Sequence, residues 1–79
     1  MEPGTFELWI TRGGIRELAQ RCNETQQEAN RRFDLLLERF QKMGWDVTGS
    51  GQMIQRFWRD ATLVKDQLQI ELIARERAS

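Results

Sequence analysis

The chain contains no histidine and one cysteine, Cys22, so acid–base chemistry would have to rest on carboxylates alone. The candidate pairs are Glu24/Glu28 and Asp60/Glu71, and both sit in a dense population of alternating charge that a solvated face accounts for. One thiol and no imidazole leave only carboxylates for a metal ion, and no Asp/Glu run has the ligand spacing of a cation-binding loop. Cys22 falls on an apolar seam, where burial suppresses thiol reactivity. Gly49-Ser50-Gly51 ahead of a helix would offer free amides to a phosphate, but the lysine, the preceding strand and the full glycine spacing of a phosphate loop are missing. The residues therefore assign no catalytic group, no metal and no cofactor, and the chain reads as not an enzyme.

Charge excludes further classes. Twelve basic residues against 12 acidic ones give no net field to draw the chain onto nucleic acid or an anionic surface. Arg31, Arg32, Arg39, Lys42, Arg56 and Arg59 form the one basic cluster, and Glu28, Asp34, Glu38, Asp46 and Asp60 are interleaved with it. A nucleic-acid-binding or regulatory role is thus an alternative, not the leading expectation. A lone cysteine forms no internal disulfide, Met1 to Glu7 has neither a basic nor an apolar leader segment, and no apolar run has spanning length. A cytoplasmic location without a membrane span is expected.

The elements that would position these residues follow from glycine breaks at Gly13-Gly14 and between Gly44 and Gly51. Seventy-nine residues support one domain. Its expected parts are an extended N-terminal arm (1–13), a helix (14–43), a loop (44–50) and a second helix (51–76). In the arm, Phe6, Leu8 and Ile10 alternate with Glu7 and Trp9, a period-two pattern too short to establish a strand. From Ile15 through Ala19, Cys22, Gln26, Ala29, Phe33, Leu36 and Phe40 to Met43, steps of four and three residues describe a heptad seam, as in a coiled coil. A second seam runs through Ile54, Phe57, Ala61, Val64 and Leu68, with Ser50 as N-cap. Leu63, Ile70 and Ile73 do not fit that stripe, so the last third of the second helix would be apolar nearly all round.

The expected hairpin turn holds Gly44, Trp45, Gly49 and Gly51; Trp45 in it, Gly49 and Gly51 following, and Phe57 and Trp58 beyond resemble the small helical-hairpin substrates of type VII secretion, whose mark is a Trp-x-Gly turn between two helices. Here Asp46-Val47 follows Trp45, and the chain has no tyrosine for a Tyr-based export signal. The resemblance implies an elongated four-helix dimer, export without a cleaved signal peptide, and work as a secreted adaptor or effector.

The fold expected from these patterns is all-α: an antiparallel two-helix hairpin, cored by Phe33, Leu36, Phe40, Ile54, Phe57, Val64 and Leu68, dimerising into a four-helix bundle. An isolated hairpin leaves large apolar residues wet, so Trp9, Trp58, Leu63, Ile70 and Ile73 are the expected contacts with another chain, either a second copy or a related hairpin. The expected function is a homo- or heterodimeric protein–protein interaction module.

Overall fold

The computed structural model describes residues 2–53 and 57–77, and it replaces the helical hairpin with a sheet. Five strands, β1 (Pro3–Arg12), β2 (Ile15–Thr25), β3 (Asp46–Met53), β4 (Trp58–Lys65) and β5 (Leu68–Glu76), pair antiparallel in the order β2-β1-β5-β4-β3. One helix, α1 (Gln26–Lys42), crosses a single face of the sheet from the β2 edge toward the β3 edge. The all-α class, the coiled coil and the four-helix bundle are therefore incorrect for this chain.

Local chemistry explains each departure. Gly13 and Gly14 both have left-handed φ (61° and 81°), the pair of positive angles that closes a two-residue hairpin with the twist of its strands. The break thus folds β1 back on β2, and Phe6, Leu8 and Ile10 form one side of a strand. The expected helix 14–43 begins twelve residues late, at Gln26. Thr25 caps it, its Oγ1 accepting from the Glu28 amide at 3.1 Å, so Ile15 to Thr25 is left for the sheet. At the other end Gly44 (φ 92°) follows the C-cap; the Gly44 and Trp45 amides donate to the Gln41 and Phe40 carbonyls, each at 3.1 Å. This paired closure sets the Trp45 ring edge-on to Phe40 at 5.4 Å.

The expected helix 51–76 is instead the end of β3, then β4 and β5, with a tight turn at Asp66 (φ 57°). Leu68, Ile70, Leu72 and Ala74 alternate with Gln69, Glu71, Ile73 and Arg75, and the first set faces the helix. The residues that failed to fit a helical stripe were obeying period two. Ile54 and Arg56, assigned above to the core and the basic cluster, lie outside the described residues.

The core forms where α1 lies on β1, β5 and β4. Phe6, Ala29, Phe33, Ala61, Leu63, Ile70, Leu72 and Ala74 are buried, and Leu36, Leu37, Phe40, Trp45 and Phe57 pack against them. Three alanines let the backbones approach while the larger side chains interdigitate. The tightest approach is at Gly4, where a Cβ would lie 2.5 Å from Gln26 Cα and 2.7 Å from its backbone nitrogen. Gly4→Ala should therefore separate β1 from the start of α1 and lower stability, with no flexible side chain to absorb the clash. Phe33→Ala should cost about 3–5 kcal/mol through the cavity it leaves. Urea denaturation of both variants, followed by far-ultraviolet circular dichroism, measures these losses.

Candidate functional site

Among the described residues no helix covers the second face of the sheet, and strand register places its side chains in rows. One row runs Arg21, Glu7, Ile73, Asp60, Gly51 across β2, β1, β5, β4 and β3. Beside it run Asn23, Thr5, Arg75, Trp58 on one flank and Leu18, Trp9, Glu71, Thr62, Gly49 on the other. Arg16, Thr11, Gln69, Val64 and Asp46 complete the face.

Its most unusual group is Glu7, a carboxylate with a side chain only 4% exposed on a face that no other element covers. The cover comes from its neighbours. Arg21 donates from Nε (2.8 Å) and Nη2 (2.7 Å) to Oε2, while Arg75 Nη2 and the Trp9 indole (3.4 Å) donate to Oε1. Burial alone would raise the Glu7 pKa, but the hydrogen bonds from Arg21, Arg75 and Trp9 outweigh it and hold the carboxyl below its ordinary value of 4.5. Both guanidinium groups remain about half exposed and cap the carboxylate with outward-facing charge. A second set lies alongside: Arg16 stacks 3.9 Å over the Trp9 ring and donates to Glu71 at 2.7 Å.

Toward the β3 edge the face becomes acidic. Asp60 Oδ1 is fully shielded and accepts no hydrogen bond among the described residues. It lies 2.7 Å from where a Gly51 Cβ would be, with the Trp58 ring 3.3 Å from the same point. Gly51 is the space into which these two side chains fold. The edges themselves are irregular. Ala19 is an extra residue in β2 between the Leu8 and Trp9 pairings, and Thr48 is extra in β3 between the Leu63 and Thr62 pairings. Bulges on both outer strands, with charges along β2, obstruct strand addition and leave the broad face as the larger regular surface.

Of the residues expected to contact a partner, Trp9, Trp58 and Ile73 come together on this face, half-buried. Leu63 and Ile70 do not: they are 0% and 5% exposed in the core under α1 and have no surface to offer another chain. Gly44 and Trp45 close the helix, whereas Gly49 and Gly51 lie in an edge strand, so the turn joins a helix to a strand and not two helices. Glu7, Arg21 and Arg75 were missed. The sequence places them 14 and 68 positions apart, and only the antiparallel register brings them together.

The remaining chemistry is accounted for by ion pairs. Glu24 holds Arg32 through two 3.0 Å bonds, Asp34 holds Arg59 at 2.5 Å, and Glu38 and Glu28 pair with Lys42 and Arg31. Among the described residues no group of three potential metal ligands exists, and no helix is long and apolar enough to cross a membrane. No known protein family matches the chain, and no curated protein or solved structure matches it.

The lowered Glu7 pKa fixes the sign of an acid effect. The folded state holds the ionised form more tightly than the unfolded chain does, so this stabilisation is present above pH 4.5 and disappears as pH falls through the lower, folded-state value. Glu7→Gln should cost about 1–3 kcal/mol at neutral pH. The difference between wild type and variant should shrink steadily in denaturation titrations below pH 4.5.

Proposed function

We propose that this chain is a non-enzymatic interaction module that binds a protein through its uncovered sheet face. The observation that carries the reading is the composition of that face: Ile73, Trp9 and Trp58 lie among the guanidinium groups of Arg16, Arg21 and Arg75, the residue types that dominate interface energies. The order already imposed by Glu7 and Glu71 means those side chains lose little freedom when a partner arrives.

A single-stranded nucleic acid suits this face less well. Base stacking needs an open aromatic surface, and one side of Trp9 is taken by Arg16. The basic residues of α1 that would support a backbone track are largely paired with neighbouring carboxylates. The solvated helix surface sets a half-exposed Leu35 among Gln27, Arg31 and Glu38, a smaller apolar centre than Trp9, Trp58 and Ile73 make.

The reading is tested with a photo-crosslinking residue placed in cells at Thr62 or Gln69 on the face, and at Gln27 or Glu38 on the outer side of α1 as controls. Discrete protein adducts from the face positions alone are expected. Equal labelling from the helix, or none from the face, would remove the basis for this function.

A further inference from the structure

Resting on that reading, we infer that the occupant of the face is a second copy of this chain, packed sheet on sheet about a two-fold axis running along β5. Three features select a copy of the same surface. The first is the distribution of charge: Arg16 and Arg21 stand on β2 at one side, and Asp46 and Asp60 stand on β3 and β4 at the other. A two-fold axis along the central strand reverses left and right, so the cationic side of each copy covers the acidic side of its mate. An isologous contact requires this kind of self-complementarity.

The second is the placement of Asp60, which folds against Gly51 with its Oδ1 shielded inside the chain and without a hydrogen bond among the described residues, so a cation of the mate acts on its charge and not on that atom. Under this symmetry β3 lies opposite β2 of the other copy, so Gly51 receives Arg21 of the mate from the same cross-strand row. Arg21 directs Nε and Nη2 at its own Glu7, which leaves the Nη1 edge of its fork to donate outward. Asp60 also comes over Glu7 of the mate, whose charge Arg21 and Arg75 already neutralise, so the approach is not carboxylate against bare carboxylate. Arg16 and Asp46 meet at the ends of the row two steps along the strands, and Ile73 meets its own counterpart at the axis.

The third is area. Five strands spaced about 4.8 Å apart, each about 30 Å long, present roughly 700 Å². A standard stable interface takes about 800 Å² from each partner. Aligned sheet packing, with inner faces about 10 Å apart, is the usual way two such surfaces meet.

Light scattering and sedimentation of the intact chain from micromolar to millimolar concentration should give twice the 9.4 kDa chain mass. Ile73→Arg should be monomeric with an unchanged circular dichroism spectrum. Arg16→Asp and Asp46→Arg, at positions that face each other in this register, should each weaken self-association at least about tenfold through paired like charges, and an equimolar mixture of the two should regain it, because both pairs are then opposite in sign. A wild-type monomer at every concentration overturns the second-copy assignment, and face-specific adducts to a different protein at Thr62 would still stand for the broader reading. A dimer that survives Ile73→Arg places the contact elsewhere and overturns it too. Failure of the mixture to associate, with both variants folded by circular dichroism, overturns the two-fold register.

Discussion

A sheet has two faces, and this chain supplies one helix to cover them. On the helix side the solution is conventional: Phe6, Phe33, Leu63, Leu72 and three alanines exclude water. On the other side no element among the described residues lies over the sheet, and long polar side chains lie flat across the strands. Arg21 and Arg75 close over Glu7, Arg16 over Trp9, and Trp58 over Gly51. The aliphatic stems of the arginines shield the sheet while their charged ends stay in water, so the face is ordered without being dry. A surface held in place by its own ion pairs is also a preorganised one, the property on which the proposed interaction role rests.

How much of this was legible in the sequence depends on which residues carried the signal. The body of α1 was readable: Ala29, Phe33, Leu36, Leu37 and Phe40 have helical spacing, and Gly44 stands where a helix must stop. Its start was also written, in Thr25-Gln26-Gln27-Glu28, but a heptad seam that extended through Ile15, Ala19 and Cys22 hid it. Steps of three and four can be picked out of a strand whenever both of its faces hold apolar residues. In β4 and β5 the chosen seam took Ala61 from the inner face and Val64 from the outer one. The discarded residues, Leu63 and Ile70, carried the true period with Ala61, Leu72 and Ala74.

The face itself was partly legible and partly beyond reach. Trp9, Trp58 and Ile73, marked as apolar residues left over from a helical core, do share this face, but the same pattern marked Leu63 and Ile70, which lie under the helix. What sequence alone does not give is strand order. The pairing of Glu7 with both Arg21 and Arg75 depends on β1 lying between β2 and β5, and no local pattern specifies that neighbour. A carboxylate in an alternating run looks solvent-facing; here the alternation is real, and the solvent side is the side on which it is enclosed.

The order of the strands also bears on how the sheet comes into being. The β1–β2 hairpin and the β3-β4-β5 meander each close through short connections, yet the seam that joins them, β1 against β5, pairs Glu7 with a residue 66 positions later. During synthesis on a ribosome the first hairpin and the helix are out long before their central neighbour exists. The nascent chain must hold half a core open, and closing so long a loop last makes assembly slower than the small size of the molecule would suggest.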